Sequence, residues 1–223
     1  MRKDVEHFIS QCSTCQQVKY ETKKPTGLLQ PLPIPTAIWE DISLDFVIGL
    51  PPSQGHTAII VVVDRFSKGA HFGALPPKYG AFKVASVFLD LMCKHHGFPR
   101  SLVSNRNPIF ISQFWRKLFK ICGTKLRMST SYHPKTNGQT EVLNQVLKQY
   151  LCSFVSDKPS TWYKFLSLSE WSYNTVVHSS TGVTPFELMY GKSPPSIPHY
   201  LLGSFSIEVV DNLLASRQEC CSN

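Results

Sequence analysis

The stretch DISLDFVIGLPPSQGHTAIIVVVDRF, residues 41–66, decides the architecture. Two β-rich runs, DISLDFVIGL and TAIIVVVDRF, flank Pro51, Pro52, Ser53, Gln54 and Gly55, the composition of a hairpin turn. A third short run, AHFGAL, extends the meander. Inside the first run stands Asp45, with Leu44, Phe46, Val47 and Ile48 around it. An ionised carboxylate in that company needs a cation or a donor; the competing reading is a strand-end Asp, solvated or bonded to a neighbouring loop.

Downstream, Phe82, Ala85, Phe88, Leu89 and Met92 recur at helical intervals as far as His95, and Gly97 with Pro99 ends that helix. The run SLVS reads as a strand. Ser112 then precedes FWRKLFKI, where Phe114, Leu118 and Ile121 fall on one predicted face, and after Gly123 the run KLRMS extends again. Beyond the polar loop STSYHPKTNGQ, the residues Val142, Leu143, Val146, Leu147, Tyr150 and Leu151 mark a long amphipathic helix from Thr140 towards Val155. A further helix is expected over Trp162 to Val177, then a short one in TPFELMYG. Three strands followed by helices alternating with two more strands predict an α/β layer fold, a mixed five-stranded sheet with helices on both faces. Trp39, Trp115, Trp162 and Trp171 are expected to pack in its core.

Upstream, residues 1–24 are polar and helix-capable. In 25–38, Pro25, Pro31, Pro33 and Pro35 forbid a regular element and make a linker. The core domain is expected over 39–192, with an irregular or helical tail over 193–223. Lys plus Arg outnumber Asp plus Glu by 23 to 15, a net +8, which favours polyanionic partners. The seven cysteines are scattered without the spacing of a secreted scaffold, which points to a reducing compartment. The N-terminus lacks an apolar signal core, and the longest apolar run, Ala58 to Val63, is too short to cross a bilayer, so no membrane partner is expected.

Glu141 opens the long helix after a Gly-containing loop, which suits either a first-turn acid facing the helix dipole or a metal ligand on a rigid element. The segment leading into it is longer than a cap requires. As a whole, SYHPKTNGQTEVLNQ resembles the final motif of the integrase core of Ty3/gypsy-type long-terminal-repeat retrotransposons, part of a Pol polyprotein. SLDFVIGLPPS and VVVDRFSK resemble the first strands of that core, and HGFPRSLVSNRNPIFISQFW and GVTPFELMYGKSP resemble two later segments. The likeness runs from Met1 to about Arg217.

The resemblance implies a ribonuclease-H-like fold in which two Asp and one Glu bind two divalent ions for phosphoryl transfer. Those positions fall on Asp45, Asn105 and Glu141, with 35 residues between the last two, as in the family. The departure is Ser104-Asn105-Arg106-Asn107-Pro108, where the family has Ser-Asp-Arg-Asp-Pro. An amide offers one neutral oxygen, so the implied Mg²⁺ or Mn²⁺ is held more weakly and catalysis is expected to be impaired. Gln145 and Lys148, at i+4 and i+7 from Glu141, share its helix face, where Lys148 is either a phosphate contact or a solvated lysine. Lys135, Tyr132 and His133 in the preceding loop are candidate nucleic-acid contacts or loop anchors. Asp64, after the second strand, reads as structural. Cys12 and Cys15 resemble the second half of the family's zinc module; the two histidines would lie upstream of Met1, so zinc is not expected here.

Function follows as expectation: an integration-type DNA-binding domain with a disarmed triad, residing in the nucleus with its DNA. It would associate as a homo-dimer or with intact integrases, and it takes no small-molecule substrate. An active strand transferase and a non-enzymatic interaction module are the alternatives.

Overall fold

Five strands, β1 (Asp41–Val47), β2 (Ala58–Asp64), β3 (Ala70–Leu75), β4 (Ser101–Ser104) and β5 (Lys125–Met128), form one sheet in the order β3-β2-β1-β4-β5. The computed structural model describes residues 2–12, 35–105, 107–128, 138–156 and 158–195. β1, β2 and β3 pair antiparallel as the predicted meander, whereas β4 and β5 join parallel, so the sheet is mixed. Helix α1 (Arg2–Gln11) lies in the polar N-terminal stretch. The expected linker lies outside the described residues except for 35–38. One compact unit spans Met1–Lys192, and Ser193–Asn223 is assigned to a second, described only over 193–195.

All seven side chains of β1 and of β2 are buried, which requires cover on both faces. Alternation supplies it. Ile42, Leu44, Ile60, Val62 and Leu102 face a layer made by α2 (Ala81–Phe88), α3 (Pro108–Ile111) and α4 (Gln113–Ile121), through Val84, Phe88, Phe110, Trp115 and Phe119. Ile59, Val61, Val63 and Phe72 face α5 (Gly138–Val155) and α6 (Trp162–Thr175), through Leu143, Leu147, Leu151 and Leu166. Each such side chain contributes about 1.5–3 kcal/mol of burial. A short α7 (Pro185–Tyr190) starts on a capping box between Thr184 and Glu187, with Pro185 in its first turn, and stops at left-handed Gly191.

α2 continues through a wide π-helical turn, Leu89–Cys93, into a last turn, Lys94–His96. The helix runs so close to β3 that a Cβ at Gly73 would stand 2.4 Å from Leu91 Cδ1 and 2.6 Å from Val87 Cγ1. Any larger residue there would force Leu91, Val87 and Ile60 to repack.

Three predicted helix faces are corrected. On α2 the buried row is Val84, Ala85, Phe88 and Met92, while Phe82 is 78% exposed. On α4, Ile121 is 85% exposed and Phe114 is also at the surface; the core takes Trp115 and Phe119 instead. Those larger rings stand at i, i+4 and fill the sheet's groove, and Phe114 turns edge-on to Phe82 outside it. On α5 the buried stripe narrows to Leu143, Leu147, Leu151 and Val155, leaving Val142 and Val146 exposed. Trp39, Trp115 and Trp162 are buried as expected; Trp171, half-buried, packs edge-on against Phe186.

Candidate active site

Asp45 rides near the C-terminal end of β1, opposite Val61 of β2. β4 pairs with β1 up to Leu44 and Ser104, so the next residue, Asn105, emerges beside Asp45. Its Nδ2 donates to Asp45 Oδ1 at 2.8 Å. The Phe46 backbone N–H donates to the same oxygen at 2.8 Å, and Asn144 Nδ2, from α5, donates to Oδ2 at 2.9 Å. The Asp45 carboxylate is thus held by two amides and one backbone group.

Asn105 Oδ1 is occupied too, accepting the Asn107 N–H at 3.1 Å. Asn107 in turn caps α3, its Oδ1 accepting the Ile109 N–H at 3.0 Å, with Pro108 in the first helical turn. Both amides of the Ser-Asn-Arg-Asn-Pro stretch therefore have local hydrogen-bonding work.

Glu141 lies in the first turn of α5, exposed at the surface. Burial pushes the Asp45 carboxyl above its usual range, against the pull of its donors and of the Lys148 ammonium. Glu141 is raised as well, by partial burial and then by the charge of Asp45. The Asp45 charge felt at Glu141 marks a locus of negative potential that attracts cations. Among the described residues, Asn144 Oδ1 is buried there without a hydrogen-bond partner, an acceptor with nothing to accept.

Asp45, Asn105, Glu141 and Lys148 are brought together, with Gln145 exposed on the same helix. Tyr132, His133, Lys135 and Cys15 lie outside the described residues, and Cys12 follows α1. Sequence reasoning passed over Asn144. Its signal was its place three residues beyond Glu141, one turn along the face that meets Asp45. Asp64 is fully buried at the β2–β3 turn, accepting from Ser67 N at 2.8 Å and Ser67 Oγ at 2.6 Å, which is a turn-holding role. Among the described residues, no group of three or more His, Cys, Asp or Glu side chains is placed to hold a metal ion.

A second polar cluster, unforeseen from the sequence, joins β3, the end of the α2 helix and α6. His71 Nδ1 meets Glu170 Oε1 at 2.9 Å, and Glu170 Oε2 accepts the Phe72 N–H at 2.7 Å. His71 Nε2 faces His96 Nε2 at 3.1 Å, and Trp39 stacks on both rings, with centroids 4.8 and 4.3 Å away. The cluster borders a cavity of about 440 Å³ reaching Met189 and Tyr190. Burial, then the neighbouring His71 and His95, pushes His96 down to about 4. An apolar groove of about 570 Å³ also runs between α5 and α6, lined by Val142, Val146, Tyr150, Phe72 and Val176, with Lys68 at its wall.

No protein-family model matches the chain. Among curated proteins, the Tf2-3 and Tf2-4 transposon polyproteins of Schizosaccharomyces pombe are each 37% identical over 212 residues, covering 95% of this chain and 16% of the relative. The chain thus spans about a sixth of the length of these relatives. Among solved structures, a chain of the simian T-cell lymphotropic virus intasome in complex with PP2A regulatory subunit B56 gamma superposes with TM-score 0.62 at 20% identity. That match covers 93% of this chain and 73% of the other. The HTLV-2 integrase catalytic core domain in complex with magnesium, in its trimeric form, gives TM-score 0.54 at 19% identity, covering 67% and 95%. These likenesses carry the ribonuclease-H-like fold.

Proposed function

Because the chain belongs to the integrase catalytic cores of Ty3/gypsy-type retrotransposon polyproteins, we propose that it is a DNA-binding core whose strand-transfer chemistry is impaired at Asn105. The observation that carries this reading is the 2.8 Å donation from Asn105 Nδ2 to Asp45 Oδ1. An aspartate at that position brings a second negative charge; the amide brings a donor that occupies a carboxylate lone pair. Its own oxygen is spent on the Asn107 N–H.

The donor set fits one divalent cation rather than two. Asp45 and Glu141 supply two negative charges, and the unpartnered Asn144 Oδ1 supplies a neutral third oxygen. Mg²⁺ or Mn²⁺ suits such oxygen ligands, and the magnesium carried by the HTLV-2 neighbour supports the first. When bound, the ion supplies charge neutralisation at a phosphate and activates a hydroxyl nucleophile. The chain's own residues do the rest. Asp45 and Glu141 hold the cation, the two amides fix the Asp45 rotamer, and Lys148 meets phosphate on the exposed side. Losing the middle carboxylate costs several powers of ten in rate, each about 1.4 kcal/mol of barrier.

In this reading the working assembly is a dimer or a mixed complex with intact integrase, residing in the nucleus with its DNA. The neighbours' trimeric, dimeric and intasome forms support association. A second reading, residual activity in Mn²⁺, is favoured by the orphaned Asn144 Oδ1, which offers the charge-poor site one more ligand.

The test is nicking and strand transfer of labelled duplex by the unmodified chain, Asn105→Asp and Glu141→Gln, in Mg²⁺ and then Mn²⁺. Activity confined to Asn105→Asp is the expected result. Cleavage by the unmodified chain that disappears in Glu141→Gln overturns the impairment.

A further inference from the structure

Val142, Val146 and Tyr150 stand at i, i+4 and i+8 on α5, a single row about 12 Å long. Both valines are exposed, although the sequence marks them as core. The row is one wall of the groove of about 570 Å³ between α5 and α6. Tyr173 and Val176, where α6 ends, make the other wall, and Phe72 of β3 lies beneath.

A cation interrupts this hydrocarbon lining. Lys68, half-buried in the β2–β3 turn, has three ammonium donors, of which one goes to Arg65 O at 2.7 Å. Among the described residues no carboxylate pairs with it, because Asp64 accepts instead from Phe66 N, Ser67 N and Ser67 Oγ. Burial pushes Lys68 below its usual range, as does the charge of Arg65, with Asp64 pulling the other way. Tyr173 is pushed up by burial, so its hydroxyl keeps its proton and remains a donor. Hydrogen bonds tie the two together. Asn174 Nδ2 donates to Ala70 O and Asn174 Oδ1 accepts the Ala70 N–H, both at 2.9 Å. That bridge holds Lys68, two residues before Ala70, and Tyr173, the neighbour of Asn174, against the same cavity. None of the described residues lining it is acidic.

We propose that the α5–α6 groove is a binding site for a small amphipathic carboxylate, its hydrocarbon body against the valines and its acid group at Lys68. The volume falls in the range of about 300–1,000 Å³ typical of small-molecule sites, which are likewise mostly apolar with a few placed polar groups. A half-buried ammonium beside hydrocarbon, without a counter-ion, is costly to leave so, and an anion that brings its own apolar body relieves it. The proposal stands apart from the reading of the chain as a DNA binder. It bears on that reading in one respect: α5 also carries Glu141, Asn144 and Lys148, so an occupant of the groove rests on the helix that positions them.

The test is a methyl NMR titration of the full chain with decanoate, decanol and decylammonium, which share a hydrocarbon body and differ in head group. The expected result is a saturable shift of the Val142, Val146 and Val176 methyl signals with decanoate. Val84, buried in the α2–α4 layer, and Val5, exposed on α1, should stay unmoved. Decanol and decylammonium should bind about tenfold or more weakly than decanoate. Lys68→Gln should weaken decanoate by a similar factor and leave decanol unchanged, and Lys68→Arg should keep decanoate binding. Val146→Asp, on the exposed row, sets a negative charge in the wall and should weaken decanoate further. Equal affinity for the three head groups, or a decanoate affinity untouched by Lys68→Gln, overturns the proposal. Shifts of equal size at Val5 show attachment to any apolar surface and overturn it as well. Groove signals that move on raising the protein concentration alone assign the groove to a second copy of the chain, with the same consequence.

Discussion

The Asp45 cluster and the His71 cluster are both buried polar networks on the sheet, and they are solved in opposite ways. Around Asp45 two amides and a backbone N–H restrain a carboxylate that is raised by burial, with Glu141 beside it and an acceptor, Asn144 Oδ1, left over. Around His71 the carboxylate of Glu170 is fully committed, one oxygen to an imidazole and one to the Phe72 N–H, while two imidazoles face each other across 3.1 Å. One network has negative charge and an oxygen to spare. The other has neither, and sharing one proton between His71 and His96 completes it. Spare capacity marks a place for a ligand; completed capacity marks a structural joint.

The largest effect is expected at the joint. Glu170→Ala leaves the Phe72 N–H and His71 Nδ1 without their acceptor and should cost about 2–3 kcal/mol, a fall of several degrees in Tm. Trp39 sharpens the point. It holds a left-handed φ of 61° beneath both rings, a conformation that costs about 1–3 kcal/mol and persists because the stack fixes it. A change under 0.5 kcal/mol in urea unfolding of Glu170→Ala would show the network to be incidental.

Next comes Asn105→Asp without divalent ions. It removes a donor and opposes two carboxylates, so it should lower stability by about 1–2 kcal/mol. Adding Mg²⁺ should then raise Tm more in this variant than in the unmodified chain, because a ligand stabilises the state that binds it. Equal metal shifts in the two proteins contradict the view of Asn105 as the disarming change.

Acidification should separate the two clusters by sign. His96, faced by His71 and His95 and bordering the same cavity as Tyr190, is held neutral down to about 4. An unfolded chain takes up that proton near 6.5, so this part of the stability is intact above 6.5 and is lost as pH falls towards about 4. Asp45 and Glu141 are raised, so the folded chain binds their protons first and gains stability as pH falls through that range. In unfolding measured against pH, His96→Gln should flatten the acid limb and Asp45→Asn should steepen it. The smallest effect is electrostatic. Lys148→Met should raise the Asp45 carboxyl further, visible by NMR titration, with little change in stability.

The same contrast shows what the sequence discloses. Two β-rich runs around a Pro- and Gly-containing turn in 41–66 marked the meander, and Gly and Pro punctuation marked most element ends, because those signals are local. Helix faces were less legible. Phe82, Phe114 and Ile121 look as apolar as their neighbours, and which ring enters the core depends on the groove that meets it. Asp45, Asn105 and Glu141 stood out through motif and spacing. Asn144 did not, since its one mark, a place one turn beyond Glu141, gains meaning only when β1 is placed opposite it. His71, His96 and Glu170 are scattered in sequence and isolated in type, so only the fold makes them neighbours.

The pairing of β1 with both β2 and β4 also bears on how this protein is made. The two amides that hold Asp45 stand 60 and 99 residues further along the chain. At about 5–20 residues per second, Asn144 leaves the ribosome about 5–20 s after Asp45. For the earlier part of that interval, until β4 follows, the β1–β2 hairpin is complete in hydrogen bonds on one side only. Its open edge carries a charged carboxylate among Leu44, Phe46 and Val47. Charge at an unfinished edge deters pairing with a stray strand. The carboxylate proposed to hold a cation in the folded protein is thus suited, during synthesis, to guard against aggregation.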